Sequence, residues 1–158
     1  RRRQRQMCIR DRDSMSIDPQ AEVRYRHRLA LQHLNRAERM YRVGDWPLTV
    51  HFAQLAIENF AKAIVAVFEV PTWSHDPSSQ LIRLCNRFPK HLARDVRDLA
   101  DMAREVAPEH GRSTYGDPTR GLMPNEIYRE RHALEIILKA RKAKSMAEKI
   151  LGEMDVLT

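Results

Sequence analysis

Residues 46–69 constrain the fold more than any other stretch, because apolar side chains would cover most of their circumference on a helix. The apolar positions are Leu48, Phe52, Leu55, Ala56, Phe60, Ala63, Ile64, Val67 and Phe68. A helix that is apolar on most sides has to be surrounded by other elements. The sequence therefore predicts a buried helix from Trp46 to Glu69, ended by Pro71, in the middle of a helical bundle.

The rest of the chain from Pro19 onward also has helical periodicity, and no segment shows strand-like alternation. Gly44 and Asp45 predict a tight turn, with a left-handed glycine followed by a helix cap. Besides residues 46–69, we predict helices over about 19–43, 78–88, 90–106 and 125–151, with a loop over 108–124 and Gly152 ending the last helix. The predicted fold class is all-α, an antiparallel up-and-down bundle of four long helices plus one short helix.

The first 14 residues are not expected to belong to the domain. They resemble a translated sequencing-library adapter, notably at Met7-Cys8-Ile9-Arg10-Asp11-Arg12. They carry six Arg and two Asp, so the net charge of +7 falls to +3 without them. We therefore expect 1–14 to be a disordered, non-native segment and 15–158 to be a single domain that starts at Met15. The alternative is a basic tail that binds nucleic acid.

The longest apolar run, Phe60 to Phe68, is interrupted by Lys62 and is too short to cross a bilayer. The N-terminus has no apolar core segment of the kind found in secretory signals. We expect a cytoplasmic protein with no membrane partner.

A polar stripe interrupts the apolar helix. His51, Gln54, Glu58 and Lys62 follow one another at steps of three, four and four residues, which places them on one face. Buried polar groups need partners. The stripe is interpreted either as an intrahelical Glu58–Lys62 pair with hydrogen bonds to neighbouring helices, or as the wall of a ligand-binding cleft or dimer seam in which Lys62 meets a phosphate.

The same segment carries a recognisable motif. It reads Gly44-Asp45-Trp46-x4-His51-Phe52-Ala53-Gln54-Leu55-Ala56-x-Glu58-Asn59-x-x-Lys62-Ala63. This resembles the signature helix of HEPN domains, a family of prokaryotic helical modules. Three further features occur in the same order as in that family. They are His75-Asp76, then Arg112 before Tyr115-Gly116-Asp117, and then an alanine-rich last helix. The resemblance covers about residues 20–151.

The resemblance implies an all-α bundle, usually dimeric, from a family associated with nucleotide binding, RNA cleavage and toxin–antitoxin pairs with small nucleotidyltransferases. Our first hypothesis is a nucleotide- or RNA-associated binding module that pairs with a minimal nucleotidyltransferase or forms a homodimer. A second is a ribonuclease toxin, and a third is a structural helical adaptor of the tetratricopeptide kind.

RNA-cleaving members of the family carry an Arg-x4–6-His pair. Arg26 and Arg28 with His33, and Arg104 with His110, have this spacing. The chain is so rich in arginine that such pairs are expected by chance. Arg104 and His110 are the better catalytic candidates, and they would make the protein a metal-independent endoribonuclease. We favour a protein that is not an enzyme.

The region 110–117 combines a possible phosphate-binding arginine, Arg112, with a possible stacking ring, Tyr115, and with Asp117. It is interpreted either as a structural loop or as one that contacts a ligand. No two histidines lie four residues apart on one helix and no Walker loop occurs, so we predict no metal and no cofactor. The basic last helix is interpreted as a solvated face.

Overall fold

The computed structural model describes residues 18–157, and the expectations for residues 1–14 and for a start at Met15 concern residues outside that range. Over the described range the chain forms seven α-helices and one 3₁₀ turn. They are α1 (Pro19–Arg42), α2 (Trp46–Val65), α3 (Ser78–Leu84), the 3₁₀ turn Cys85–Arg87, α4 (Lys90–Val106), α5 (Glu109–Tyr115), α6 (Pro124–Ile127) and α7 (Glu130–Glu153). No helix among these residues is both long and apolar enough to span a membrane.

The turn between α1 and α2 forms as the sequence predicts. Gly44 has a φ of 78°, which only glycine adopts without strain. The Asp45 side chain then caps α2 by accepting a hydrogen bond from the backbone N–H of Leu48 at 3.0 Å. The rings of Tyr41 and Trp46 meet across the turn, 5.5 Å apart. These contacts make α1 and α2 antiparallel neighbours.

Helix α2 is the centre of the bundle. It packs against α1 and α7 along its length and against α3, α4 and α5 at other points. Of its 20 residues 14 are buried, so nearly every side of the helix is covered. The predicted all-α bundle with four long helices, α1, α2, α4 and α7, is therefore confirmed.

The second helix is shorter than predicted, since α2 ends at Val65 and not at Glu69. Beyond it, the amides of Val67 and Phe68 donate to carbonyls only three residues back, which tightens the last turn. The Phe68 ring packs edge-on against Phe88 at 4.9 Å and lies under the Arg87 guanidinium. This packing turns the chain away from the helix axis before Pro71.

The predicted loop 108–124 is partly helical, because residues Glu109–Tyr115 form α5. Pro108 precedes this helix, where its missing N–H costs nothing, and Gly116 ends it with a φ of 74°. The glycines and prolines that indicated a loop therefore mark the two ends of a short helix. With α3 and α6, the bundle has three short helices rather than one.

The last long helix starts later than predicted. Asn125 lies in the short α6, and Tyr128 and Arg129 are extended before α7 begins at Glu130. The break is explained by Tyr128, which is buried and whose hydroxyl bonds to Glu109 of α5. Gly152 does not end α7, which continues to Glu153.

Candidate functional site

The polar stripe of α2 is buried, and its members are paired. Gln54 is fully buried, while Glu58 and Lys62 are each 4% exposed. Lys62 Nζ donates to Glu58 Oε2 at 3.1 Å, and Gln54 Nε2 donates to Glu58 Oε1 at 3.2 Å. The intrahelical Glu58–Lys62 pair of the first interpretation thus exists, in a central helix where both charges would be costly alone.

A histidine from the loop between α2 and α3 reaches the same carboxylate. His75 Nδ1 lies 3.0 Å from Glu58 Oε1, although 54% of the His75 side chain is exposed. Two local hydrogen bonds hold this loop: Ser74 Oγ accepts from the Asp76 amide, and Asp76 Oδ1 accepts from the Ser78 amide. Glu58 is therefore linked to the surface through one imidazole.

Helix α5 supplies the opposite side. His110 Nδ1 lies 3.1 Å from Gln54 Oε1, and its ring stacks on that of His75 with centroids 3.6 Å apart and an interplanar angle of 19°. His51, at the start of the stripe, is 5.2 Å from the His110 ring, and its Nδ1 lies 3.0 Å from Ser113 Oγ. We call the group His51, Gln54, Glu58, Lys62, His75 and His110 the histidine cleft.

The hydrogen bonds of the cleft fix where two protons lie. An ionised Glu58 only accepts, so the Gln54 NH₂ group and the His75 Nδ1–H must face it. Gln54 Oε1 then faces His110, whose Nδ1 must carry the proton of that hydrogen bond. In the neutral rings of His75 and His110, Nε2 is consequently the lone-pair nitrogen, and no residue within 18–157 hydrogen-bonds to it.

The electrostatics of the cleft favour neutral imidazoles at two positions. Burial lowers the pKa of His110, and the neighbouring His75 and His51 lower it further. Burial also lowers the pKa of His51, again with a contribution from His75. The ion pair of Glu58 with Lys62 leaves no net charge at the floor of the cleft.

In the structure of residues 18–157, no hydrogen bond joins Arg104 and His110, the pair that the spacing suggested. Arg104, on the exposed side of α4, donates from Nε to Ser78 Oγ at 3.1 Å, whereas His110 bonds to Gln54. Arg26, another candidate, is bound to Glu22 at 2.9 Å.

The three candidates of region 110–117 lie in different settings. Arg112 is exposed on α5, 3.6 Å from Glu109, and the Tyr115 ring is 75% exposed. Asp117 forms a bridge with Leu122 through backbone hydrogen bonds of 2.8 and 2.9 Å, and its side chain accepts from the Arg120 amide. The role that the structure gives Asp117 is to close this turn.

Sequence reasoning underestimated His75. His75 entered only as part of a family motif, yet it is the residue that links Glu58 to the surface. The ligand atoms of Glu58, His75 and His110 lie within 4.8 Å of one another, a grouping that could hold a metal ion. These residues are far apart in the sequence, so spacing along one helix could not reveal them.

A separate cavity lies between α4, α5 and α7. Its volume is about 210 Å³, and its lining includes Glu105, Tyr128, His132 and Lys139. Burial and the hydrogen bond to Glu109 raise the pKa of Tyr128, which keeps that phenol protonated. We take the histidine cleft as the candidate functional site because the Nε2 atoms of His75 and His110 have no hydrogen-bond partner within residues 18–157, whereas Lys139 of this cavity is paired with Glu105 and Glu135.

Comparison with protein families decides the affiliation of the chain. The HEPN domain model matches residues 23–151. The chain belongs to the HEPN family. No curated protein and no solved structure matches it significantly. The HEPN match confirms the resemblance seen in the signature helix and includes every residue of the histidine cleft. HEPN domains are associated with nucleotide and RNA binding and with ribonuclease toxins.

Proposed function

We propose that this HEPN protein binds a ribonucleotide or a single-stranded RNA segment at the histidine cleft, and that binding is its primary activity. The observation that carries the proposal is the hydrogen bonding of His75 and His110. The Nδ1 atoms of the two rings lie at hydrogen-bond distance from Glu58 and Gln54, which leaves each Nε2 without a partner among residues 18–157 and able to accept a hydrogen bond where the ring is neutral. Ribose hydroxyls are donors that match such acceptors, and the 2′-OH distinguishes RNA from DNA.

Residues near the cleft match the other parts of a nucleotide. Among residues 18–157, Arg104 is bonded only through Nε, so its terminal NH₂ groups are available to a phosphate, and Arg112 is exposed on α5. Tyr115, in the same short helix, presents a ring on which a base can stack. Acceptors for ribose, cations for phosphate and a ring for the base together support a ribonucleotide ligand.

The arrangement of the two stacked rings favours binding over cleavage by one chain. Attack and departure at phosphorus occur roughly in line, so a proton acceptor and a proton donor must lie on opposite sides of the phosphate. The His75 and His110 centroids are only 3.6 Å apart in a stack, which leaves no room for a phosphate between them. The two imidazoles therefore approach a ligand from one side.

The partner implied by the family belongs to the same proposal. We expect the protein to form a homodimer or to pair with a minimal nucleotidyltransferase. Co-expression with the product of a neighbouring gene, followed by co-purification and light scattering, tests this expectation. A monomer that retains no such partner would contradict it.

RNA binding is tested by fluorescence anisotropy with a labelled single-stranded RNA and with DNA of the same sequence, in EDTA and at one fixed salt concentration. We expect tighter binding of the RNA. His75→Ala and Arg104→Ala should weaken it, each by roughly fivefold to a hundredfold, as expected for the loss of about 1–3 kcal/mol. His91→Ala is the matched control, because His91 is exposed and bonded to Glu153 at 2.8 Å, outside the cleft. Equal affinity of wild type and His75→Ala for RNA, or equal affinity for RNA and DNA, would overturn the proposal.

A second candidate function is endoribonuclease activity, favoured by the Glu58–His75 pair. A carboxylate that holds Nδ1–H leaves Nε2 free to accept a proton, which is the arrangement of a general base. This candidate predicts metal-independent RNA cleavage that disappears in His75→Ala, and relief of toxicity on expression in His110→Ala. If the wild-type protein neither cleaves RNA nor slows growth, this candidate fails.

A further inference from the structure

We propose that Glu58, His75 and His110 form a binding site for a divalent transition-metal ion of the Zn²⁺ class. The site lies in the histidine cleft, but the proposal does not depend on RNA binding there. Its ligands come from three separate elements: α2, the loop before α3, and α5. Their ligand atoms lie within 4.8 Å of one another.

The spacing of the first two ligands already suits a metal. Two atoms that each lie about 2.0–2.2 Å from one Zn²⁺ ion, at angles of about 90° to 110°, are roughly 2.9–3.4 Å apart. Glu58 Oε1 and His75 Nδ1 are 3.0 Å apart. An ion can therefore replace the proton between them: the proton moves from Nδ1 to Nε2, and the neutral ring binds the ion through Nδ1.

The third ligand completes a set of two imidazoles and one carboxylate. A ring nitrogen of His110 lies within 4.8 Å of the other two ligand atoms. Because the His110 ring now stacks on His75 at 3.6 Å, it has to turn to aim that nitrogen at an ion in the plane of the His75 ring. Two nitrogen ligands and one oxygen ligand favour Zn²⁺ and similar ions over Mg²⁺, which prefers oxygen. Three protein ligands leave one tetrahedral position open to water or to a phosphate oxygen.

The surroundings of Glu58 orient it for this role at some electrostatic cost. Lys62 occupies Oε2, and Gln54 donates to Oε1 and fixes the plane of the carboxylate. The ammonium of Lys62 repels a divalent ion, which weakens binding relative to an unpaired carboxylate. The exposed position of His75 gives an ion a path from solvent and allows the loop to adjust around it.

The test is a titration of the full-length protein with ZnCl₂ by calorimetry, without nucleic acid. We expect one site per chain and a rise in Tm with Zn²⁺, because the site exists only in the folded protein. MgCl₂ should give neither effect. His75→Ala is the main variant, because His75 is half-exposed and its removal leaves the core intact. It should weaken Zn²⁺ binding by roughly tenfold or more, since even loss of an outer-shell partner costs that much.

His91→Ala is the matched control, because His91 and Glu153 form a histidine–carboxylate pair without a second histidine. It should bind Zn²⁺ as the wild type does. His110→Ala should lose binding as His75→Ala does. Absence of a one-to-one site in the wild type, or unchanged Zn²⁺ affinity in His75→Ala, would overturn the metal proposal. Since RNA binding is measured in EDTA, either proposal can fail while the other stands.

Discussion

At the scale of single residues, His33 shows how burial without a partner makes a side chain sensitive to pH. Its ring is half-buried on α1 beside Phe52, with centroids 6.1 Å apart, and its Nδ1 receives no hydrogen bond from residues 18–157. Burial lowers the pKa of His33 below 6.5, Arg36 and His51 lower it further, and Glu58 opposes them. The folded protein therefore holds His33 neutral under conditions in which the unfolded chain already binds a proton.

This leads to a prediction about pH. Above pH 6.5 the His33 ring is neutral in both the folded and the unfolded state, so it makes no pH-dependent contribution to stability. As the pH falls below the unfolded-state pKa near 6.5, the unfolded chain binds a proton that the folded protein does not bind, because folding lowers the pKa of His33. Stability is therefore lost as the pH falls. His33→Phe keeps the ring beside Phe52 but cannot titrate, so its free energy of unfolding should fall less than that of the wild type between pH 7.5 and pH 5. Urea unfolding at both pH values measures this, and parallel losses in the two proteins would refute it.

At the scale of elements, α5 depends on the conformation of the residue that ends it. Gly116 has φ 74° and ψ −150°, a region essentially restricted to glycine. A Cβ there would lie 2.2 Å from the carbonyl oxygen of Leu122, which is backbone and cannot move aside easily. The position of α5, and with it that of His110, is thus set by a turn outside the helix.

Gly116→Ala should therefore destabilise the protein by about 1–3 kcal/mol or more, through strain and the backbone clash. It should also weaken ligand binding at the histidine cleft, because His110 moves with α5. Gly111→Ala is the control in the same helix, where an added Cβ meets nothing within 4 Å. That change should be neutral or stabilising by about 0.5–1 kcal/mol. Chemical denaturation of both variants checks this, and equal stabilities would contradict it.

At the scale of the whole molecule, the bundle is organised around one helix. The Phe60 ring in the middle of α2 has no solvent exposure, and α2 contacts every long helix of the described chain. Since a domain of this size generally unfolds in one cooperative step, a defect in α2 is felt by the whole bundle. Gln54, Glu58 and Lys62 of the histidine cleft belong to this same helix, so both the stability of the bundle and the geometry of the cleft depend on α2.

Phe60→Ala should lower the free energy of unfolding by about 3–5 kcal/mol, because it removes a buried ring and leaves a cavity. Trp73→Ala provides a comparison, since that aromatic ring is 94% exposed and its loss should change stability little. Thermal unfolding followed by circular dichroism distinguishes the two. A small effect of Phe60→Ala would mean that α2 is not the central support.

The sequence alone determined the helical class, the turn at Gly44-Asp45 and the central place of the helix that begins at Trp46. Periodicity, helix caps and glycine conformations are local properties that can be read from the sequence. A helix that is apolar on most sides has to be removed from water, which places it at the centre of a bundle. The sequence also indicated that His51, Gln54, Glu58 and Lys62 share a face. The sequence did not predict that α2 ends at Val65 or that α7 begins at Glu130, because the packing of Phe68 and Tyr128 sets these two boundaries.

Only the tertiary structure decided which distant groups complete that face. His75 and His110 are 35 residues apart in the sequence, and α5 occupies a segment whose composition indicated a loop. Their stacking depends on how the loop between α2 and α3 and the short helix α5 pack against the polar face of α2. Contacts between elements distant along the chain arise from the packing of the whole bundle, and local propensity carries no information about them.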